Sequence, residues 1–178
     1  MADLAYFTAG RLPIELTIHL PMVALKETQV VERVCLQLPD HLAIARLLVE
    51  VSSSEIGQNP ELARRVAKNL ENYNVGISID DVIADVSWAE MADFPIAALN
   101  VDRSFIKGCA DDRHKRSACG TVVRIASRLN ARTVAKGIET TADFQAVCDM
   151  GFDLGQGDLF AKLMDAGKFA RTLLPRRD

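Results

Sequence analysis

The stretch Val75-Gly76-Ile77-Ser78-Ile79-Asp80-Asp81 decides how the rest of the chain is read. A run of strand character ends abruptly in two adjacent carboxylates. That arrangement suits the C-terminal end of a strand on an α/β scaffold, where metal-binding and catalytic side chains collect. Working outward, further short β-rich runs occupy Ile14 to Leu20, Leu47 to Val51, Ala98 to Asp102, Arg132 to Ala135 and Phe152 to Gln156. Several are apolar at consecutive positions, as strands covered on both faces are.

Amphipathic stretches separate these runs. Thr28 is placed to cap a helix carrying Val31, Val34, Cys35 and Leu38 on one face, with Pro39 ending it. Asn59-Pro60 supplies an N-cap followed by proline at the first helical position, and Leu62, Val66, Leu70 and Tyr73 line up behind it. Ala118, Val122, Ile125 and Leu129 form a third stripe. Thr140-x-x-Asp143 has the form of a capping box, and Gly151 is placed to end a helix bearing Phe144, Val147 and Cys148. Alternating strands and helices predict an α/β fold with a parallel sheet. The βα units fall two short of the eight that close a barrel. The expected architecture is therefore either an open sheet or an incomplete TIM-like barrel of about six units. An open barrel edge would need covering, by another chain or by residues 1–11, where Leu4, Tyr6 and Phe7 stand; a helix remnant is the other reading of that segment.

With 178 residues, 49% of them apolar, the chain is long enough for one domain spanning 1–178. The net charge of −3 and the scattered basic residues argue against nucleic acid as a partner. The exceptions, Arg113-His114-Lys115-Arg116 and Arg176-Arg177, read as a solvated helix start and a chain end. Cys35, Cys109, Cys119 and Cys148 have neither paired spacing nor a secreted scaffold's density, so reduced thiols and a cytoplasmic setting are expected. No apolar run approaches the roughly 20 residues of a membrane span, and no membrane association is expected.

Four segments carry a resemblance. Ile77-Ser78-Ile79-Asp80-Asp81, Leu99-Asn100-Val101-Asp102-Arg103-Ser104-Phe105-Ile106, Thr133-Val134-Ala135-Lys136-Gly137-Ile138-Glu139-Thr140 and Gly155-Gln156-Gly157-Asp158-Leu159-Phe160 follow the order and spacing of the EAL domain. Val49-Glu50-Val51-Ser52-Ser53-Ser54 and Leu16-Thr17-Ile18-His19-Leu20 extend the likeness. The resemblance implies a (βα)8-type barrel, two divalent cations at its C-terminal mouth, and hydrolysis of cyclic diguanylate by in-line attack of a metal- and lysine-activated water. The strand with the Glu-Ala-Leu signature, which carries a metal ligand, has no counterpart here.

By that resemblance, Glu50, Asp80, Asp81, Asp102, Glu139 and Gln156 match positions that hold metal or orient the site. His19 stands where the family has a metal-binding asparagine, Ser53 replaces the second glutamate of Glu-x-x-Glu, and Asn100 replaces the lysine that assists the attacking water. Lys136 replaces an essential glutamate of Ala-Glu-Gly-Val-Glu, a change of two charge units at the mouth. The glycines of Asp-Asp-Phe-Gly-Thr-Gly give way to Val82-Ile83-Ala84, which cannot adopt glycine's backbone angles. Trp88 just beyond is either a packing residue or a partner anchor.

The acidic pair also has a local reading, one carboxylate capping a turn and the other meeting a base. Lys136 is expected to neutralise Glu50, Asp80, Asp81 or Asp102, taking over from a metal. A Schiff-base role for Lys136 is disfavoured because those carboxylates would raise its pKa. His19, like His41 and His114, reads either as a structural residue or, for His19 alone, as a transition-metal ligand. The reading that follows is a degenerate EAL-type domain without phosphodiesterase activity, acting as a regulatory or protein-interaction module. Lys136, Asn100 and Glu139 are then vestigial catalytic positions. Glu50, Asp80, Asp81, Asp102 and His19 are vestigial metal positions. No cofactor is expected, with Mg or Mn the ions if metal binding survives. A protein partner or self-association as a homodimer is expected. The alternatives are a non-hydrolysing cyclic diguanylate receptor, with Gln156 and Arg103 contributing to ligand binding, or a weak metal-dependent phosphodiesterase.

Overall fold

The computed structural model describes residues 14–37, 44–82 and 94–173. The N-terminal segment 1–11, His41, the stretch 83–93 with Trp88, and the basic tail lie outside the described residues. The strands are β1 (Ile14–His19), β2 (Ile44–Ser52), β3 (Val75–Val82), β4 (Ile96–Val101), β5 (Arg132–Lys136) and β6 (Leu154–Gln156). The helices are α1 (Met22–Leu25), α2 (Thr28–Gln37), α3 (Ser53–Gln58), α4 (Pro60–Glu71), α5 (Arg103–Ile106), α6 (Arg113–Leu129), α7 (Thr141–Met150) and α8 (Ala166–Leu173).

All strand pairs are parallel, and the sheet order follows the chain from β1 to β6. A doubly wound open sheet would reverse direction at a switch point; unbroken order is that of a barrel. Curvature is shown by Arg132 on β5, whose guanidinium pairs with Glu15 on β1 at 2.6 Å. On a flat sheet the inter-strand steps between β1 and β5 would hold them roughly 19 Å apart. The structure is thus a curled, incomplete TIM-like barrel, with β1 and β6 as its edges among the described residues.

The core lies between the sheet's outer face and the helices. Val49, Val51, Ile77, Ile79, Leu99, Val101 and Ala135 meet Leu62, Val66 and Leu70 of α4, Cys119, Val122 and Ala126 of α6, and Ala146 and Val147 of α7. Helix boundaries follow local chemistry. Asn59 Oδ1 accepts from Leu62 N at 3.0 Å with Pro60 at the first helical position. Asp112 caps α6 through the amides of His114 and Lys115, so the basic run is indeed a solvated helix start. Gly151 closes α7 at φ 83°.

Three details differ from expectation. Tyr73 lies past the end of α4 and donates its hydroxyl to Glu32 rather than continuing the apolar face. On α6 Val122 is buried as expected, but Cys119 and Ala126 are the other buried positions, with Ile125 and Leu129 only partly buried. In α7 Cys148 is exposed, and the Asp143 carboxylate reaches across to the amides of Gly108 and Ala110. Cys109 and Cys119 are buried free thiols. Burial pushes them up to about 11 and about 12 respectively, which keeps them protonated and unreactive. No helix among the described residues is long and apolar enough to cross a membrane.

Candidate functional site

The strand ends place His19, Glu50, Asp80, Asn100 and Lys136 around one mouth. Alternation along each strand sets their direction: Glu50 shares the inner face of β2 with Leu48, Asn100 that of β4 with Ala98, and Lys136 that of β5 with Val134. Below them lies an open cavity of about 420 Å³, floored by small residues such as Thr17, Ser78 and Ala98 and bounded by the Glu15–Arg132 pair.

The acidic pair sits on a bulge. Between Ile79↔Leu99 and Val82↔Val101, β3 spends two residues against one of β4, and Asp81 takes a left-handed backbone at φ 53°. A bulge re-aims side chains. Asp80 is buried at the mouth, while Asp81 is exposed and its carbonyl accepts from Ser53 Oγ at 3.1 Å.

Lys136 stands at the centre of the cluster, its ammonium 2.7 Å from Glu50 Oε1 and 2.7 Å from Asp80 Oδ1. Burial works against the ammonium, but its hydrogen bonds to Asp80 and Glu50 outweigh this and hold the pKa above its ordinary value. Asn100 Nδ2 also donates to Glu50 Oε1, and Ser78 Oγ donates to Asn100 Oδ1 at 3.1 Å, which fixes the amide's orientation. His19 Nδ1 lies 3.7 Å from the other Glu50 oxygen, Oε2. Asp81 is pushed up by partial burial and then by the charges of Asp80 and Asp102. Negative charge at the mouth is therefore not fully cancelled by one lysine.

Other positions named from the sequence make their hydrogen bonds and ion pairs elsewhere. Asp102 caps α5, accepting from Ser104 N at 2.8 Å, and hydrogen bonds from Ser104 hold its carboxyl below the usual range. Glu139 pairs with Arg103 and with Lys107 Nζ at 3.2 Å. Arg103 packs over Gly137, where a Cβ would lie 2.4 Å from its Cγ. Gln156 is exposed at the rim, in register with Lys136. Ser78 had no assigned role in the sequence, although its place two residues before Asp80 on the same face was the available signal.

A sequence model of the EAL domain family matches residues 1–163. The chain belongs to the EAL domain family. This EAL domain is 30% identical over 166 residues to Cyclic di-GMP phosphodiesterase PA2567 of Pseudomonas aeruginosa, covering 92% of the chain and 28% of that protein. It is 30% identical over 124 residues to Cyclic di-GMP phosphodiesterase PdeR of Escherichia coli, covering 69% of the chain and 19% of that protein. The chain thus spans well under a third of either relative's length. Among solved structures, the EAL domain of Mycobacterium smegmatis DcpA superposes with a TM-score of 0.83 at 23% identity, covering 97% of this chain and 80% of that one. PaMucR phosphodiesterase in its c-di-GMP complex gives 0.81 at 25% identity, covering 94% and 71%.

The family implies divalent cations, and the donor set here does not fit a pair of them. A metal pair would need the space between Glu50 and Asp80 that the Lys136 ammonium fills. Among the described residues, ligand atoms of one His, one Glu and one Asp come together: those of His19, Glu50 and Asp80 lie within 4.8 Å of one another.

Proposed function

We propose that this EAL domain does not hydrolyse cyclic di-GMP and acts as a regulatory, protein-interaction module in bacterial cyclic di-GMP signalling. One observation carries the reading: the Lys136 ammonium lies 2.7 Å from both Glu50 and Asp80. Two-metal hydrolysis clamps the attacking and leaving oxygens between cations held by shared carboxylates. An ammonium on those carboxylates neither generates hydroxide nor accepts a phosphoryl oxygen as a ligand. Asn100, where the resemblance expects a water-assisting lysine, already spends its amide on Glu50. A partner-binding role is supported by exposed apolar side chains beside the β6 edge, where Leu154, Phe160 and Leu163 are 43%, 51% and 101% exposed. Protein partners, including a second copy of the chain, suit such a surface better than nucleic acid or membrane.

Calorimetric titration with cyclic di-GMP, with and without Mg²⁺ or Mn²⁺, followed by product analysis, tests this. The expected result is no linear product and no nucleotide uptake. Tight binding without turnover would make the domain a receptor. Turnover above a Glu50→Ala control would overturn the reading. Light scattering separates self-association from a monomer that needs a different partner.

A further inference from the structure

We infer that the end of the barrel opposite the mouth binds a small oxyanion, a phosphate or a carboxylate, on the guanidinium of Arg46 next to the Glu15–Arg132 pair. The site shares no residue with the mouth and stands or falls independently of the proposed function.

Arg46 alternates with Leu48 and Glu50 on the inner face of β2, and its step to Glu50 places it about 13 Å below the mouth along the strand. Its guanidinium lies over Gly76, where a Cβ would come 2.7 Å from Nη2 and 2.8 Å from Cζ, and the Cβ of Ala97 borders the same space. Ala97 is there because of a bulge: Ile77 pairs with Ile96 and Ser78 with Ala98, so β4 spends one residue more than β3. Two small residues thus make the room that the guanidinium takes up. Glu15 stands in register with Arg46 and would be its natural carboxylate. That carboxylate is taken, with Arg132 Nη2 2.7 Å from Oε1 and 2.6 Å from Oε2. Among the described residues Arg46 has no ion pair, and its Nε is buried without a hydrogen-bond partner. Two guanidinium groups against one carboxylate leave one positive charge in excess. A buried donor without an acceptor bears its desolvation uncompensated. Nε and Nη2 form the planar edge of the guanidinium that takes two oxygens of one carboxylate or phosphate. Entry is through the open cavity of about 420 Å³ that Glu15 and Arg132 line.

The test follows inorganic phosphate by phosphorus NMR line broadening as the full chain is added, at neutral pH and constant ionic strength. The expected result is saturable binding of one equivalent, weakened about tenfold or more in Arg46→Gln, which loses the charge-assisted hydrogen bonds of the guanidinium. Arg46→Lys keeps the charge but loses the paired donors, so it also weakens binding, and it decides the matter if Arg46→Gln does not fold. Acetate that displaces phosphate assigns the site to any two-oxygen anion, whereas acetate that fails to do so confines it to phosphate; both support the site. No saturable binding, or binding unchanged in the Arg46 variants, overturns it. A loss in Arg103→Gln with none in Arg46→Gln puts the anion at the mouth and overturns it equally.

Discussion

Replacing Lys136 by methionine keeps most of the side chain's volume and removes its charge. The ammonium sits 2.7 Å from each of two carboxylates, and the three side chains are only 24%, 14% and 12% exposed. At an effective dielectric near 20, each contact is worth about 6 kcal/mol gross. Desolvation of the three groups cancels much of this. The quantity that survives is the cost of leaving two crowded carboxylates without their cation, about 3–5 kcal/mol for a buried pair broken on one side. For a chain of this size, that corresponds to a fall in Tm of roughly 6–20 °C.

Urea denaturation read by circular dichroism measures the loss directly. Lys136 has a folded pKa above its ordinary 10.5, so its contribution is fully present below the unfolded value and is lost as pH rises through the folded one. The gap between parent and variant should therefore be flat across roughly pH 7 to 9 and shrink only in stronger alkali. Mn²⁺ should restore stability to the variant, by about 2.7 kcal/mol at a hundredfold excess over Kd. Lys136→Glu should respond still more strongly. A Lys136→Met protein within about 0.5 kcal/mol of the parent, with no response to Mn²⁺, would refute the internal-cation argument.

Asp143→Asn should cost about 1.5–3 kcal/mol, because the buried carboxylate accepts from Gly108 N at 3.1 Å, Ala110 N at 3.2 Å and Thr140 Oγ1 at 2.9 Å. Burial opposes the charged form, but these bonds hold the pKa below 3.8, so the stabilisation present above the unfolded value is lost as pH falls through the folded one. Urea midpoints of the variant should then vary less in acid than the parent's. Gly157→Ala should destabilise by about 1–3 kcal/mol, since its Cβ would lie 2.1 Å from the Ile138 carbonyl oxygen; an unchanged Tm would contradict that close approach. Asn100→Ala and Lys136→Met share one oxygen of Glu50, so a double-mutant cycle should show coupling of about 0.5 kcal/mol or more, and strict additivity would separate the two residues.

The six strands and the order of the barrel were legible because each run of β-branched residues is short and bounded, and because helices with strong caps separate them. The tight spot was α3. Ser52-x-x-Glu55 is a capping box, with Ser52 Oγ accepting from Glu55 N at 3.2 Å, but it follows β2 without a break and reads as the strand's tail. Helix faces were placed to within one position; small buried residues such as Cys119 and Ala126 carry less pattern than Leu129 or Ile125 while packing deeper. At the mouth, the pairing of Lys136 with Glu50 and Asp80 was legible, and the directions of Asp81 and Glu139 were not. Asp80 and Asp81 are adjacent in sequence, yet a bulge buries one and exposes the other. Glu139 lies three residues from Lys136 but turns to Arg103, because Gly137 at φ 78° redirects the chain.

An internal cation differs from a metal ion in one respect that bears on regulation: it cannot dissociate. Where divalent ions bind shared carboxylates, the geometry around those carboxylates depends on ion concentration, and any loop resting on them inherits that dependence. Here the link between β2, β3 and β5 is a covalent side chain, braced from β4 by Asn100 and from within β3 by Ser78. These ties between the strand ends form without a bound ion. A catalytic centre gains little from such a fixture, because its ions must meet the substrate's oxygens. A docking surface gains a constant geometry from it, since rigid elements hold a binding face better than ion-dependent ones. On the proposed reading, the lysine that argues against hydrolysis also braces the scaffold of an interaction module.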